Sequence, residues 1–245
     1  MKIEMKNLKF VATALVTPFD GGQIDFASLK KLIRFQLDNG VSGLIVNGTT
    51  AESPTLTSAE KSKLLEFVKM ETSGQVPIVM GTGSNSTAST IEDSKIAERE
   101  GADAVLVVVP YYNKPPQRGL IAHFNAIANA ISIPTILYNV PGRTVTALSI
   151  ESIIELSKNS RIKAIKEASG NISFAKEIRS KCGKEFILLS GDDGTYVDFL
   201  KAGGNGVISV ATHVIPKQFV NWTRDVQDGT LNVKSVEQDF SRYGE

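Results

Sequence analysis

The sequence predicts an α/β protein folded as a closed (β/α)8 TIM barrel, and three observations carry that prediction. Short apolar runs recur along the whole 245-residue chain. Most are continuous rather than alternating, as suits parallel strands covered on both faces. They are spaced by roughly 20 to 35 residues, room for a strand, a helix and two loops. Each is followed by a stretch of helical periodicity with legible ends. No linker or low-complexity tract divides the chain, and barrels of about 250 residues form one domain. The rival is a doubly wound open sheet. When such a sheet binds a dinucleotide it carries a glycine-rich turn after its first strand. Here that turn reads Thr17-Pro18-Phe19-Asp20-Gly21-Gly22.

The elements follow in order. The first strand is read at 10–16. Asp25 then caps a helix with Leu29, Leu32, Ile33 and Leu37 on one face, and Gly40 closes it. The second strand, 43–48, leads to Thr57 and Glu60, a T-x-x-E capping box ahead of Leu64, Leu65 and Val68. The third strand, 76–81, precedes a helix over 86–100 that Gly101 stops. Strands at 104–110, 135–140, 162–168, 186–191 and 206–210 are followed by helices at 119–131, 149–157, 173–181, 195–202 and 216–228. The barrel is thereby assigned to 1–228, and a further short helical pattern falls at 233–238.

Composition narrows the function classes. Lys and Arg total 27 against 26 Asp and Glu, a formal net charge of +1. That balance excludes a strongly basic nucleic-acid binder. One Cys excludes an internal disulfide and a cysteine metal cage, and two distant His leave little for a zinc site. The apolar run 104–110 is far shorter than the ~20 residues of a transmembrane helix. Residues 1–10 show no signal-peptide pattern. The expectation is a cytoplasmic protein with no membrane, nucleic-acid or metal partner.

In such barrels the active site lies at the C-terminal ends of the strands. Those ends are rich in hydroxyls: Thr49-Thr50, Thr82 to Asn85, Tyr111-Tyr112-Asn113, and Tyr138 to Thr144. Lys166 stands out. Alternation places it on one face with Ile162, Ala164 and Ala168, pointing into the barrel near its top. A lysine desolvated there has a depressed pKa, and its neutral amine can attack a ketone to form a Schiff base. A lysine paired with Glu167, or reaching to the rim, is the competing reading. Tyr138 and Arg143 weigh against that competitor. Arg143, in a Pro-Gly turn, can clamp a carboxylate, and Thr49 and Thr50 offer hydroxyls and N–H groups to another. Together they describe a site for a keto acid. Asp192-Asp193 reads as a capped turn rather than a Mg²⁺ site. The turn 203–206 precedes the eighth strand, on the face opposite the site. His123 reads as structural, His213 lies at the catalytic face without an obvious partner, and Cys182 stands alone.

Asn47-Gly48-Thr49-Thr50-Ala51-Glu52-Ser53, Tyr111-Tyr112-Asn113, Tyr138-Asn139-Val140-Pro141-Gly142-Arg143-Thr144 and Ile165-Lys166-Glu167-Ala168 resemble the dihydrodipicolinate synthase family. The likeness runs from Val16 to Val210, and the wider superfamily includes N-acetylneuraminate lyase. The resemblance implies condensation of pyruvate with aspartate 4-semialdehyde, in lysine and diaminopimelate biosynthesis, with no cofactor beyond a covalent pyruvate imine on Lys166. It implies that Thr50, Tyr138 and Tyr112 relay protons, the tyrosine at 112 coming from a neighbouring subunit of a homodimer or homotetramer. It implies that Thr49 and Thr50 hold the pyruvate carboxylate and that Gly191 and Ile208 line its pocket. Arg143 receives the aldehyde's carboxylate, and it favours the synthase over a sugar-acid lyase of the same superfamily. Ala51 departs from the glycine usual there. At the lysine-feedback site Asn85 and Tyr111 match, whereas Ser58, Lys61 and Ser89 replace His, His and Glu of sensitive members. Lysine inhibition is expected to be weak or absent. Family members continue for dozens more residues as extra helices, so 229–245 reads as the start of that region.

Overall fold

The computed structural model describes residues 10–232 together with Val236. Eight parallel strands close into a barrel: β1 (Phe10–Ala14), β2 (Gly43–Val46), β3 (Ile78–Gly81), β4 (Ala104–Val108), β5 (Thr135–Asn139), β6 (Ile162–Glu167), β7 (Ile187–Ser190) and β8 (Gly206–Ser209). Each pairs with its sequence neighbours, and β8 pairs with β1 to complete the ring. Eight helices follow the strands: α1 (Phe26–Asp38), α2 (Ser58–Thr72), α3 (Thr87–Arg99), α4 (Gln117–Ala130), α5 (Ile150–Ser157), α6 (Ile172–Lys181), α7 (Tyr196–Lys201) and α8 (Pro216–Gln227). The expected (β/α)8 barrel is the observed fold. The helical pattern at 233–238 lies outside the described residues except for Val236, which packs beside α8 with Trp222 and Phe219.

Local chemistry sets the helix starts. Asp25 accepts from the amides of Ala27 and Ser28. Thr57 and Glu60 form the reciprocal capping box that their spacing predicts. Ser86, Ser149 and Asn171 cap α3, α5 and α6 with side-chain oxygens. Among the additional elements, a single helical turn, Pro141–Thr144, interrupts the β5–α5 connection. Proline at its first position has the φ a helix needs and no orphaned N–H.

Two apolar layers fill the molecule. Inside the barrel, Phe10, Ala12, Ala14, Ile45, Val79, Leu106, Ile136 and Leu189 meet. Between barrel and helices lies the larger core, with Leu44, Val105, Val107, Leu137 and Ile165 facing Leu65, Phe124 and Ile153. Successive residues of a strand therefore serve opposite layers. The alternation has one break. The β5–β6 register shifts between Thr135 and Ile136, so Ile162 pairs with Thr135 while Ala164 pairs with Ile136. The extra residue, Lys163, is exposed, and Ile162 packs with the outer core rather than the inner one. Ile162 thus leaves the face that strict alternation assigned to it. Ala164, Lys166 and Ala168, beyond the shift, keep theirs.

Closure depends on the seam between β8 and β1. A Cβ on Gly206 would lie 2.0 Å from the Phe10 carbonyl oxygen, and one on Gly43 would lie 2.6 Å from the Phe10 ring. Phe10 floors the barrel only because both flanking positions lack a side chain. Gly206→Ala forces backbone apart at the seam, an overpacking cost of about 2 kcal/mol or more. For a chain of this size that is a fall in Tm of roughly 5 °C. Gly142→Ala, with nothing within 4 Å of the added atom, leaves the melt unchanged. Equal melts for the two variants would refute this account of the seam.

Candidate active site

Lys166 lies near the top of β6, 6% exposed, on the barrel's inner face. Its register partner on β5 is Tyr138. The Nζ sits 4.3 Å from the centre of the Tyr138 ring, where the negative face of the π system attracts a cation. On the other side stands Gly191, where a Cβ would lie 2.7 Å from Lys166 Cε and 2.7 Å from Ala168 Cβ. The absent side chain at 191 is the room the lysine occupies. Burial lowers the Lys166 ammonium to about 8, with Asp193 opposing the shift and Arg143 adding to it. Relative to an ordinary lysine, that increases the neutral fraction near neutral pH by more than ~100-fold. Burial pushes the Tyr138 phenol up, and the Arg143 charge draws it back.

The competing reading of Lys166 fails on geometry. Glu167 points to the outer layer, where its carboxylate accepts from Asn139 Nδ2 at 2.6 Å and from the Ser169 amide at 2.6 Å. Lys166 has no salt bridge with it.

Apart from Ile208, which lies within β8, the remaining candidates occupy loops at the same end of the barrel. Thr49–Ala51 form a single 3₁₀ turn after Gly48. The turn is held from both sides. Thr17 Oγ1 donates to the Ala51 carbonyl at 2.9 Å, and Asn47 Nδ2 donates to the Gly81 carbonyl at 2.7 Å. Thr49 is exposed and Thr50 half-buried. Ile208 lines the inner apolar cluster with Tyr138. Arg143 is exposed in the turn Pro141–Thr144 and pairs with no carboxylate among the described residues. Its charge reaches both Lys166 and Tyr138.

Tyr112 is the exception. It projects from the β4–α4 loop, 88% exposed and at φ 73. A left-handed aromatic residue costs of order 1–3 kcal/mol and persists where something else requires it. Lys166, Tyr138 and Gly191 come together within one chain; Tyr112 stands apart from them in solvent.

Several residues left aside above have defined roles. Asp192 caps its own turn, accepting from the Thr195 amide and hydroxyl. Asp193 Oδ2 accepts from the amides of Val210 and Ala211 at 3.0 and 2.9 Å. His213 does have partners. Its Nδ1 bonds the Val210 carbonyl at 2.7 Å, and Nε2 accepts from the Val16 amide at 3.2 Å. The ring therefore joins the β8 and β1 loops as the Nδ1–H tautomer, and burial holds its pKa down. His123 is buried against Thr87 with a pKa near 4. Asn205, in the turn before β8, binds the Leu188 amide. Such long-range bonds leave no periodic trace in sequence. Among the described residues, no group of three or more His, Cys, Asp or Glu is placed to hold a metal, and no helix is long and apolar enough to cross a membrane.

The family model of the dihydrodipicolinate synthetase family matches residues 7–239. The chain belongs to the dihydrodipicolinate synthetase family. A 4-hydroxy-tetrahydrodipicolinate synthase of Bdellovibrio bacteriovorus is 58% identical over 98% of this chain and 82% of its own. A dihydrodipicolinate synthase of Bacillus anthracis superposes with a TM-score of 0.89 at 44% identity, over 92% of this chain and 77% of its own. One from Acinetobacter baumannii, solved with pyruvate, gives a TM-score of 0.91 at 35% identity, over 95% of this chain and 81% of its own.

The lowered Lys166 pKa sets the pH dependence expected of this family member. Only the neutral amine of a lysine can add to a carbonyl, so any such reactivity of Lys166 rises with pH and levels off above an inflection near 8. The Arg143 guanidinium lowers that inflection, so Arg143→Ala moves it upward. A stopped-flow profile that is flat across the neutral and alkaline range would contradict the assignment.

Proposed function

We propose that this chain is a 4-hydroxy-tetrahydrodipicolinate synthase, a lyase that condenses pyruvate with aspartate 4-semialdehyde through an imine on Lys166. The observation that carries the reading is the buried Lys166 amine, held between the Tyr138 ring and Gly191. The names of the family relatives support the same reaction.

The neutral amine adds to the pyruvate ketone, and loss of water leaves the imine. The pyruvate methyl group then gives up a proton, forming an enamine whose terminal carbon attacks the aldehyde. The substrate's own amine closes the ring by attacking the imine carbon, and Lys166 leaves as a free amine. Protons pass through the hydroxyls of Tyr138 and Thr50. Thr49 and Thr50 cradle the pyruvate carboxylate beside the Gly191 and Ile208 backbone. Arg143, with no carboxylate of its own chain to pair with, takes the carboxylate of the second substrate; a polyhydroxylated sugar acid has less use for it. Tyr112, strained and solvent-exposed in the single chain, completes the relay of a neighbouring copy. The working form is accordingly a homodimer or homotetramer, cytoplasmic and needing no external cofactor.

Borohydride reduction in the presence of pyruvate traps one adduct, and peptide mapping places it on Lys166. An adduct elsewhere, or none, overturns the reading. Lys166→Ala and Tyr112→Phe are each nearly inactive alone, and mixing them after subunit exchange restores activity. No recovery would remove the shared tyrosine.

Lys61, cationic and close enough to bear on Asp93, opposes binding of a lysine ammonium beside Ser58 and Ser89. Lysine therefore inhibits weakly or not at all in a steady-state titration. Strong inhibition at roughly sub-millimolar lysine would contradict this.

A further inference from the structure

The β5–α5 loop carries Arg143 and is tied at its base by side chains outside the active site. Asn139, the last residue of β5, is 1% exposed and faces the outer layer. Its Oδ1 accepts the Leu148 amide at 3.0 Å, joining residues nine apart across the loop's two ends. Its Nδ2 donates to Glu167 Oε2, and Glu167 Oε1 accepts the Ser169 amide. A second clamp comes from α4. Gln117 donates to the Ala147 carbonyl at 2.8 Å and accepts from the Ser149 amide at 2.9 Å. Between these anchors Val145, β-branched and 71% exposed, is held at φ 63. A β-branched residue adopts that conformation only when its surroundings require it. The loop is therefore held in one conformation.

We infer that Glu167 is a positioning residue for the second substrate, acting through Asn139 to fix the loop that presents Arg143. The inference rests on the reading of Lys166 and Arg143 above. Its logic is donor counting. Two N–H donors, from Asn139 and Ser169, converge on Glu167, and the Asn139 oxygen is already committed to Leu148. At position 167 a carboxylate, with an acceptor at both oxygens, meets that demand. A glutamine of the same shape meets one donor with its oxygen and opposes the other with its own NH2. Asn139 cannot turn over to relieve the conflict without surrendering Leu148. The adjacent residues Lys166 and Glu167 thus divide between the two substrates. The inner-facing one bonds pyruvate; the outer-facing one sets the place of the aldehyde's carboxylate.

The same counting specifies a repair. In the double variant Glu167→Gln with Asn139→Asp, the new carboxylate at 139 accepts from Leu148 and from the glutamine NH2. The glutamine oxygen then accepts from Ser169. Every donor is met again, with the charge moved one residue along the network.

The test uses the full chain and steady-state kinetics with both substrates varied. Glu167→Gln raises KM for aspartate 4-semialdehyde about tenfold, equivalent to ~1.4 kcal/mol. Borohydride trapping of pyruvate on Lys166 keeps its wild-type pyruvate dependence. Amides of 147–149 exchange faster with deuterium, and the double variant restores both the KM and the exchange. An unchanged aldehyde KM in Glu167→Gln refutes the inference, as does a double variant no better than the single one. So does a loss of pyruvate trapping that parallels the KM change, which marks a merely structural role. If Glu167→Gln does not fold, a folded double variant with wild-type aldehyde KM supports the pairing, and a misfolded or impaired one refutes it. Failure of the wild-type chain to trap pyruvate is a separate result that removes the Lys166 reading itself.

Discussion

The arrangement of the site follows from one constraint: a lysine amine is buried where the barrel leaves space for it. The inner face of the barrel is packed with alanines, branched aliphatic residues and Phe10. Such a layer offers an ammonium no carboxylate, so burial drives its pKa down, with the Arg143 charge adding to the shift and Asp193 opposing it. Space for the side chain exists because position 191 is glycine, and its Nζ lies over the Tyr138 ring. Lys166, Tyr138 and the gap at Gly191 are thus fixed together by side-chain volume where three adjacent strands end.

The two faces of those strands divide the labour. Inner-facing Tyr138 and Lys166 meet near the mouth of the barrel. Outer-facing Asn139 and Glu167 bond one another and anchor the loops above. Alternation produces this division, since neighbours along a regular strand point to opposite layers. The register shift at Lys163 shows how local the rule is. It redirects Ile162, but it lies below Tyr138 and Lys166, which keep their sides.

Backbone strain follows the same polarity. Among the described residues, five of the six non-glycine residues with positive φ, namely Asn47, Glu52, Tyr112, Lys114 and Val145, lie in loops that leave strands at the mouth. At the opposite end the left-handed turns are mostly glycine, as at 40, 74, 101 and 203, where the conformation is free of steric cost. Left-handed non-glycine conformations are kept at the mouth, where long-range bonds hold the loops. Asn47 bonds to Gly81, and the Val145 loop hangs between Asn139 and Gln117.

Much of this was legible in the residues themselves. Continuous apolar runs at regular spacing specified parallel strands, because a strand covered on both faces cannot alternate. Asp25 and Thr57 announced their helices, because a cap bonds amides two or three residues away. Lys166 was conspicuous because a charge in an apolar run has a cost that needs a reason. Other features lay beyond local reading. The pairing of Glu167 with Asn139, the bridge from His213 to Val16 and the anchoring of Val210 by Asp193 join residues 28, 197 and 17 positions apart. Nothing in their spacing marks them. The sequence by itself determined the strands, the caps and which residue could be the nucleophile, since these depend on periodicity and on chemistry within a turn or a strand. Tertiary structure alone decided which of the polar groups at the mouth anchor loops and which face the substrate. That choice depends on where donors and acceptors from distant strands converge once the barrel closes.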